Sequence, residues 1–126
     1  MREFKNKIVI APVTDIQSIS GTTLFMKSGK TTDTIYSTND IIPDETENQG
    51  DVSRSYSQSL SVICDKLSLS LLVKYRRRKV VVKLFTNEDQ QILIGSLNFP
   101  ARCSILPKLN TDILDFVCEA AQPLLS

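Results

Sequence analysis

Asp40, Asp44, Glu45, Glu47 and Asp51 place five carboxylates within residues 40–51, with no basic side chain among them. Carboxylates at that density can bind a cation, face a basic surface or, as a pair held in register, move protons. Asp44, Thr46 and Asn48 begin like a calcium loop. Gln49, however, stands where the sharp-turn glycine belongs, and Ser55 where the bidentate glutamate belongs. Proton chemistry needs carboxylates held rigidly, and residues 38–55 offer only Ile41, Ile42 and Val52 as core-forming side chains. The acids are therefore read as a contact surface. The opposite charge is concentrated in Lys74-Tyr75-Arg76-Arg77-Arg78-Lys79. Two roles fit that run: a solvated helix end whose cations meet the last carbonyls, or a contact for a polyanion.

Other chemistry is excluded by residue type. The chain has no histidine, which removes Ser-His and Cys-His nucleophile pairs, histidine metal ligands and imidazole proton shuttling. Cys64, Cys103 and Cys118 are odd in number and widely spaced, so they form no complete disulfide framework and no paired-ligand metal site. They read as buried, reduced thiols. Gly21, Gly29, Gly50 and Gly95 are too scattered to cradle a phosphate. We assign no catalytic residue, no metal ligand and no cofactor, and read the chain as non-enzymatic.

The elements that must position these charges follow from periodicity. Tyr56, Leu60, Val62 and Cys64 share one face of an extended segment whose other face carries Ser57, Ser59, Ser61 and Asp65. Residues 66–78 fit either period two or an i, i+4 stripe through Leu67, Leu71 and Tyr75; we expect a helix, capped by Asp65 or Ser68 and ending in the basic run. Val80, Val81, Val82, Leu84 and Phe85, then Ile92, Leu93 and Ile94, predict an antiparallel hairpin over residues 79–95, with Gly95 at a bulge or strand end. Residues 5–36 read as three short strands, the first stopped by Pro12 and offering an edge at residues 7–10. Residues 38–55 read as a long, flexible acidic loop. Residues 97–102 bend at Pro100. Beyond them Cys103, Ile105 and Leu106 start a strand stopped by Pro107, and a last strand sets Leu114, Phe116, Cys118 and Ala120 against Asp115, Val117 and Glu119.

Composition bounds the rest. Residues 1–126 suit one domain able to bury a core without staples. At 41% hydrophobic, 23% charged and net +1, the chain is ordinary for a globular protein and has no global attraction to nucleic acid or anionic membrane. No apolar run reaches the roughly 20 residues of a membrane span, and residues 1–7 lead into no signal region. A reducing cytoplasm is the expected folding compartment.

Short stretches resemble a family. Phe4-Lys5-Asn6-Lys7-Ile8 before Ala11-Pro12-Val13-Thr14, Gly21-Thr22-Thr23, Tyr56-Ser57-Gln58-Ser59-Leu60 and Asn98-Phe99-Pro100-Ala101-Arg102 are similar to small phage-derived structural proteins of Bacteroides-type genomes, notably tail-tube and tail-connector subunits. The resemblance implies a small β-barrel or sandwich flanked by one helix, with a long loop that orders on ring formation. It also implies a negatively lined channel to which Asp44, Glu45 and Glu47 would contribute, letting DNA pass without sticking. The short N-terminal part and the lack of a second long hairpin loop depart from a tube subunit and point toward a terminator or connector.

The expectation is thus a mainly β (α+β) domain, a small antiparallel barrel or sandwich with one helix and an acidic loop. Its expected role is a self-associating tail component, made in the bacterial cytoplasm and then carried in the virion or a phage-like particle. Its partners would be itself, as a ring-type homo-oligomer, and other tail or head-tail proteins, with no membrane and no sequence-specific nucleic acid. Asp40, Asp44, Glu45, Glu47 and Asp51 of one copy would face Arg76, Arg77, Arg78 and Lys79 of the next. The alternative is a monomeric protein- or peptide-binding module using the edge at residues 7–10.

Overall fold

A computed structural model describes residues 4–49, 54–97 and 99–120. Its longest pairing joins the two most strictly alternating segments, β6 (Arg54–Asp65) and β10 (Thr111–Ala120), in antiparallel register from Thr111↔Asp65 to Ala120↔Tyr56. Alternation at period two sends Leu60, Val62 and Cys64 inward from β6, and Leu114, Phe116 and Cys118 inward from β10. All six are buried in one core. β10 pairs on its other side with β9 (Ala101–Pro107). The start of β9 meets β7 (Lys79–Thr86) at Lys79↔Arg102 and Val80↔Ala101.

β7 is the hydrophobic axis of the other half. Its run Val80, Val81, Val82 and Leu84 is wholly buried because both of its faces are covered. β8 (Gln91–Ile94) folds back on it as the expected hairpin. Gly95 follows at φ +92, where an added Cβ would lie 2.9 Å from the Ala101 nitrogen, so the strand end needs a residue without a side chain. β1 (Phe4–Pro12) pairs with β7 on one side and with β4 (Asp33–Tyr36) on the other.

The sheet order is β4-β1-β7-β9-β10-β6-β5, with β8 beside β7. The sheet coils until its ends approach. Ser37, just past β4, bridges to Cys64, and the Thr38 N–H donates to the Ile63 carbonyl oxygen at 2.7 Å. One bridge is not a ladder, so no closed barrel forms, and of the two expected forms the fold is the sandwich-like one. Its second layer is the hairpin of β2 (Ile16–Ser20) and β3 (Thr23–Met26), which follows a short 3-10 turn (Val13–Asp15). Ile16, Ile19, Leu24 and Met26 of that hairpin cover the outward side chains of Ala11 and Val81.

The helix α1 spans Leu69–Tyr75, shorter than residues 66–78. Ser68 is its cap: the Leu71 N–H donates to the Ser68 hydroxyl oxygen at 3.3 Å. It ends because Arg77 takes a left-handed conformation, φ +56, and the Arg78 N–H turns back to the Tyr75 carbonyl oxygen at 3.1 Å. Tyr75 is fully buried, its hydroxyl bonded to the Asp33 carboxylate and 3.3 Å from the Ile10 carbonyl oxygen.

Three expectations are corrected. Residues 44–49 of the acidic segment are not loop but strand β5 (Asp44–Gln49), antiparallel to β6 from Asp44↔Ser59 to Gln49↔Arg54. A strand joined to a neighbour that β10 already holds gains backbone hydrogen bonds without contributing to the core. The absence of core residues therefore did not forbid it. Residues 5–36 hold four strands rather than three, because β4 is fixed by β1 with a single buried side chain, Ile35. Residues 7–10 are no edge: they lie inside β1 with neighbours on both sides, which removes the contact surface of the binding-module reading.

Cys64, Cys103 and Cys118 are free and buried. Burial pushes the Cys103 thiol up to about 12, with the Asp115 charge adding to it. Burial, then the Asp112 and Asp65 charges, push Cys64 up to about 11. Cys118 is also raised, chiefly by burial. Thiols held neutral in the fold favour it below their unfolded pKa of about 8.5 and lose that contribution as pH climbs beyond it. A maleimide or disulfide reagent at pH 8 should leave the native protein unmodified and label all three thiols in denaturant. Rapid labelling of native protein would show that this packing is wrong.

Candidate functional site

The period of β5 splits the acids. Asp44 pairs with Ser59 and faces outward, whereas Glu45 pairs with Gln58 on the opposite face, where the Gln58 side-chain amide donates to the Glu45 carboxylate at 3.1 Å. Glu47 occupies the register position opposite Tyr56, and Asp51 lies outside the described residues. Asp44, Thr46 and Asn48 sit on a straight strand, not in a loop that could wrap an ion. Asp44 and Glu45 are both exposed. At the edge of the sheet, such acids repel a second acidic edge and so block β5-to-β5 pairing.

Asp40 joins Asp44 at a groove of about 490 Å³ on the outer face of the sheet, walled by Ile42 and Val117, floored by Ser59 and Ser61, and carrying Asp115. Ile42 is 70% exposed and Val117 56% exposed. No side-chain hydrogen bond or ion pair is made by Asp40, Asp44 or Asp115 among the described residues.

The basic run is an ordered connection. Arg76 ends α1 with its N–H on the Leu72 carbonyl oxygen, and the Arg78 carbonyl oxygen accepts from the Cys103 N–H at 2.9 Å. Arg76, Arg77, Arg78 and Lys79 are exposed. Lys74 does not belong with them: its ammonium is 2.7 Å from Asp33 and lies over the Tyr75 ring.

Two residues that sequence reasoning left without a role join the site. Arg102, taken there as part of a bend, starts β9, exposed and directly opposite Lys79 on one side and Val117 on the other. Asp115, recognised only as facing away from the core, enters the groove. The registers then give one row across the outer face, Lys79, Arg102, Val117, Ser59, Asp44. At about 4.8 Å per strand its ends lie ~19 Å apart. The alternation of β9 and β10 was the available signal, but which outward residues share a row depends on register.

A cation on a long apolar stem fits a groove with both carboxylates and apolar walls. Among the described residues, no cluster of candidate metal ligands is present and no helix is long and apolar enough to cross a membrane. No protein-family model matches this chain, and neither a curated protein nor a solved structure was found to resemble it.

Proposed function

We propose that this chain is a non-enzymatic structural subunit that self-associates, serving in a phage or phage-like tail as a tube, terminator or connector component. The observation that carries this reading is the separation of charge. Exposed acids occupy the edge strand β5 and its groove, and exposed bases occupy the rigid turn from α1 into β7. Copies arranged head to tail about an axis bring Asp40 and Asp44 of one against Arg76, Arg77, Arg78 and Lys79 of the next, which sets orientation more than raw affinity. The strained backbone of Arg77 supports the same reading. A glycine would relieve the φ of +56, whereas the arginine present there carries an exposed charge at a cost of about 1 kcal/mol. Other tail or head-tail proteins would then meet the two ends of the ring.

The test is light scattering and electron microscopy of the purified chain at rising concentration. Wild type should form rings or short tubes that weaken as salt rises, and the triple reversal R76E/R77E/R78E should leave them unformed. Rings that survive the reversal, or a wild type that never exceeds the mass of one chain, would sink the reading.

A further inference from the structure

The outer face of the sheet is covered on one half only. The β2–β3 hairpin lies over β1 and β7, whereas the outward side chains of β9, β10, β6 and β5 have no second layer among the described residues. This bare face has an order that a second copy can match. One row, Leu106, Ile113, Ile63, is apolar throughout. Leu106 is half exposed, and Ile113 and Ile63 are partly exposed. The next row is Ser104, Asp115, Ser61, and the third runs Lys79, Arg102, Val117, Ser59, Asp44. That third row is positive at one end, apolar in the middle and negative at the other.

We infer that this face seats a second copy of the same chain, related by a two-fold axis that runs parallel to β10 over Val117. Such an axis turns each row back on itself. Lys79 then stands opposite Asp44, and Arg102 opposite Ser59, where it enters the groove between Asp44 and Asp115 of the other copy. Val117 meets Val117. In the apolar row Ile113 meets Ile113 and Leu106 meets Ile63. The two Asp115 carboxylates approach across the axis, each beside an incoming Arg102 that offsets their repulsion. Cation and groove lie side by side on one face, so a single contact satisfies both copies twice, as an isologous interface requires. Arg102 has no side-chain hydrogen bond or ion pair among the described residues, although Asp115 lies diagonal to it across β9 and β10. Both charges remain available to a partner. Four strands by seven residues is roughly 450 Å² of flat face on each copy, below the roughly 800 Å² per partner of a stable contact, so pairing should be weak and concentration-dependent.

The inference rests on self-association, but the contact it assigns competes with the head-to-tail one for Asp44 and Lys79, and only Arg102 on one side and Arg76 to Arg78 on the other tell the two apart. Sedimentation of the full chain over a wide concentration range should show two-chain particles. R102E, and separately D44R/D115R, should each raise the dissociation constant at least about tenfold. An equimolar mixture of K79E/R102E with D44R/D115R should restore a particle of two chains, because each then presents the charge that the other lacks. V117C treated with a short bis-maleimide should give a covalent pair, the three native thiols being buried. Unchanged affinity in R102E, failure of the mixture to pair, or absence of the cross-link would overturn the inference. Two-chain particles that persist unchanged in R102E, with rings that vanish in R76E/R77E/R78E, would overturn it and leave the proposed function standing. A wild type of single-chain mass at every concentration would overturn both.

Discussion

Phe116→Ala should lower unfolding stability by about 3–5 kcal/mol and the melting temperature by roughly 10–20 °C. Phe116 is fully buried at the centre of β10, with Leu60 of β6 opposite it on one side and Cys103 of β9 on the other. Truncation removes the transfer energy of the ring and leaves a cavity between three strands whose ladders prevent collapse. Against a total of about 5–15 kcal/mol for a domain of this size, the loss consumes a large part of the margin. The adjacent residue supplies the control. Val117 is 56% exposed, and Val117→Ala should change stability by no more than about 0.5 kcal/mol. Urea titrations of both variants give the comparison. A larger loss at Val117 than at Phe116 would mean that the inward and outward faces of β10 are exchanged.

Asp112→Asn should cost about 2 kcal/mol at pH 7, the scale of hydrogen bonds to a charged group, and should flatten the acid limb of the stability curve. The Asp112 side chain is fully buried. It accepts from the Lys66 ammonium at 2.5 Å and from the Leu67 N–H at 2.8 Å, tying the approach to α1 onto the start of β10. Burial by itself pushes this carboxyl up. The hydrogen bonds from Lys66 and Leu67, with the Lys66 charge, outweigh it, and the group is held below the usual carboxylate range. A carboxyl with a lowered folded pKa stabilises the fold above its unfolded pKa of about 3.9, and that contribution drains away as pH falls toward the folded value. Wild type and variant should therefore differ most near neutrality and converge in acid. Asparagine keeps an oxygen for the Leu67 N–H and gives up the charge, so the difference isolates the ionic part. A gap that stays constant from pH 7 to pH 2 would show that the ionised carboxylate contributes nothing.

Charge separation acts at a different scale from these two core effects. Reversing exposed arginines should leave the monomer's stability almost untouched, since Arg76 to Arg78 make no ion pair among the described residues. Fold and assembly can thus be perturbed independently, and an assembly defect in R76E/R77E/R78E or R102E can be read without correction for unfolding.

The sequence by itself determined those features whose cause is local. Alternation set the inward faces of β6 and β10, a β-branched run produced β7, and the Ser68 cap with a leucine stripe made residues 69–75 helical. Each rests on neighbours within a few positions. Residue types alone also excluded histidine chemistry. Only tertiary structure decided that the acidic segment is a strand, because its hydrogen bonds come from β6 and not from its own composition. Pairing likewise buried β1 between β7 and β4 and took residues 7–10 out of reach. The row from Lys79 to Asp44 assembles residues from five strands, and it exists only once four registers are fixed. One-residue slips would send each of its members to the other face. Charge content was therefore legible in the chain, while charge arrangement, on which both proposals stand, is a property of the folded sheet.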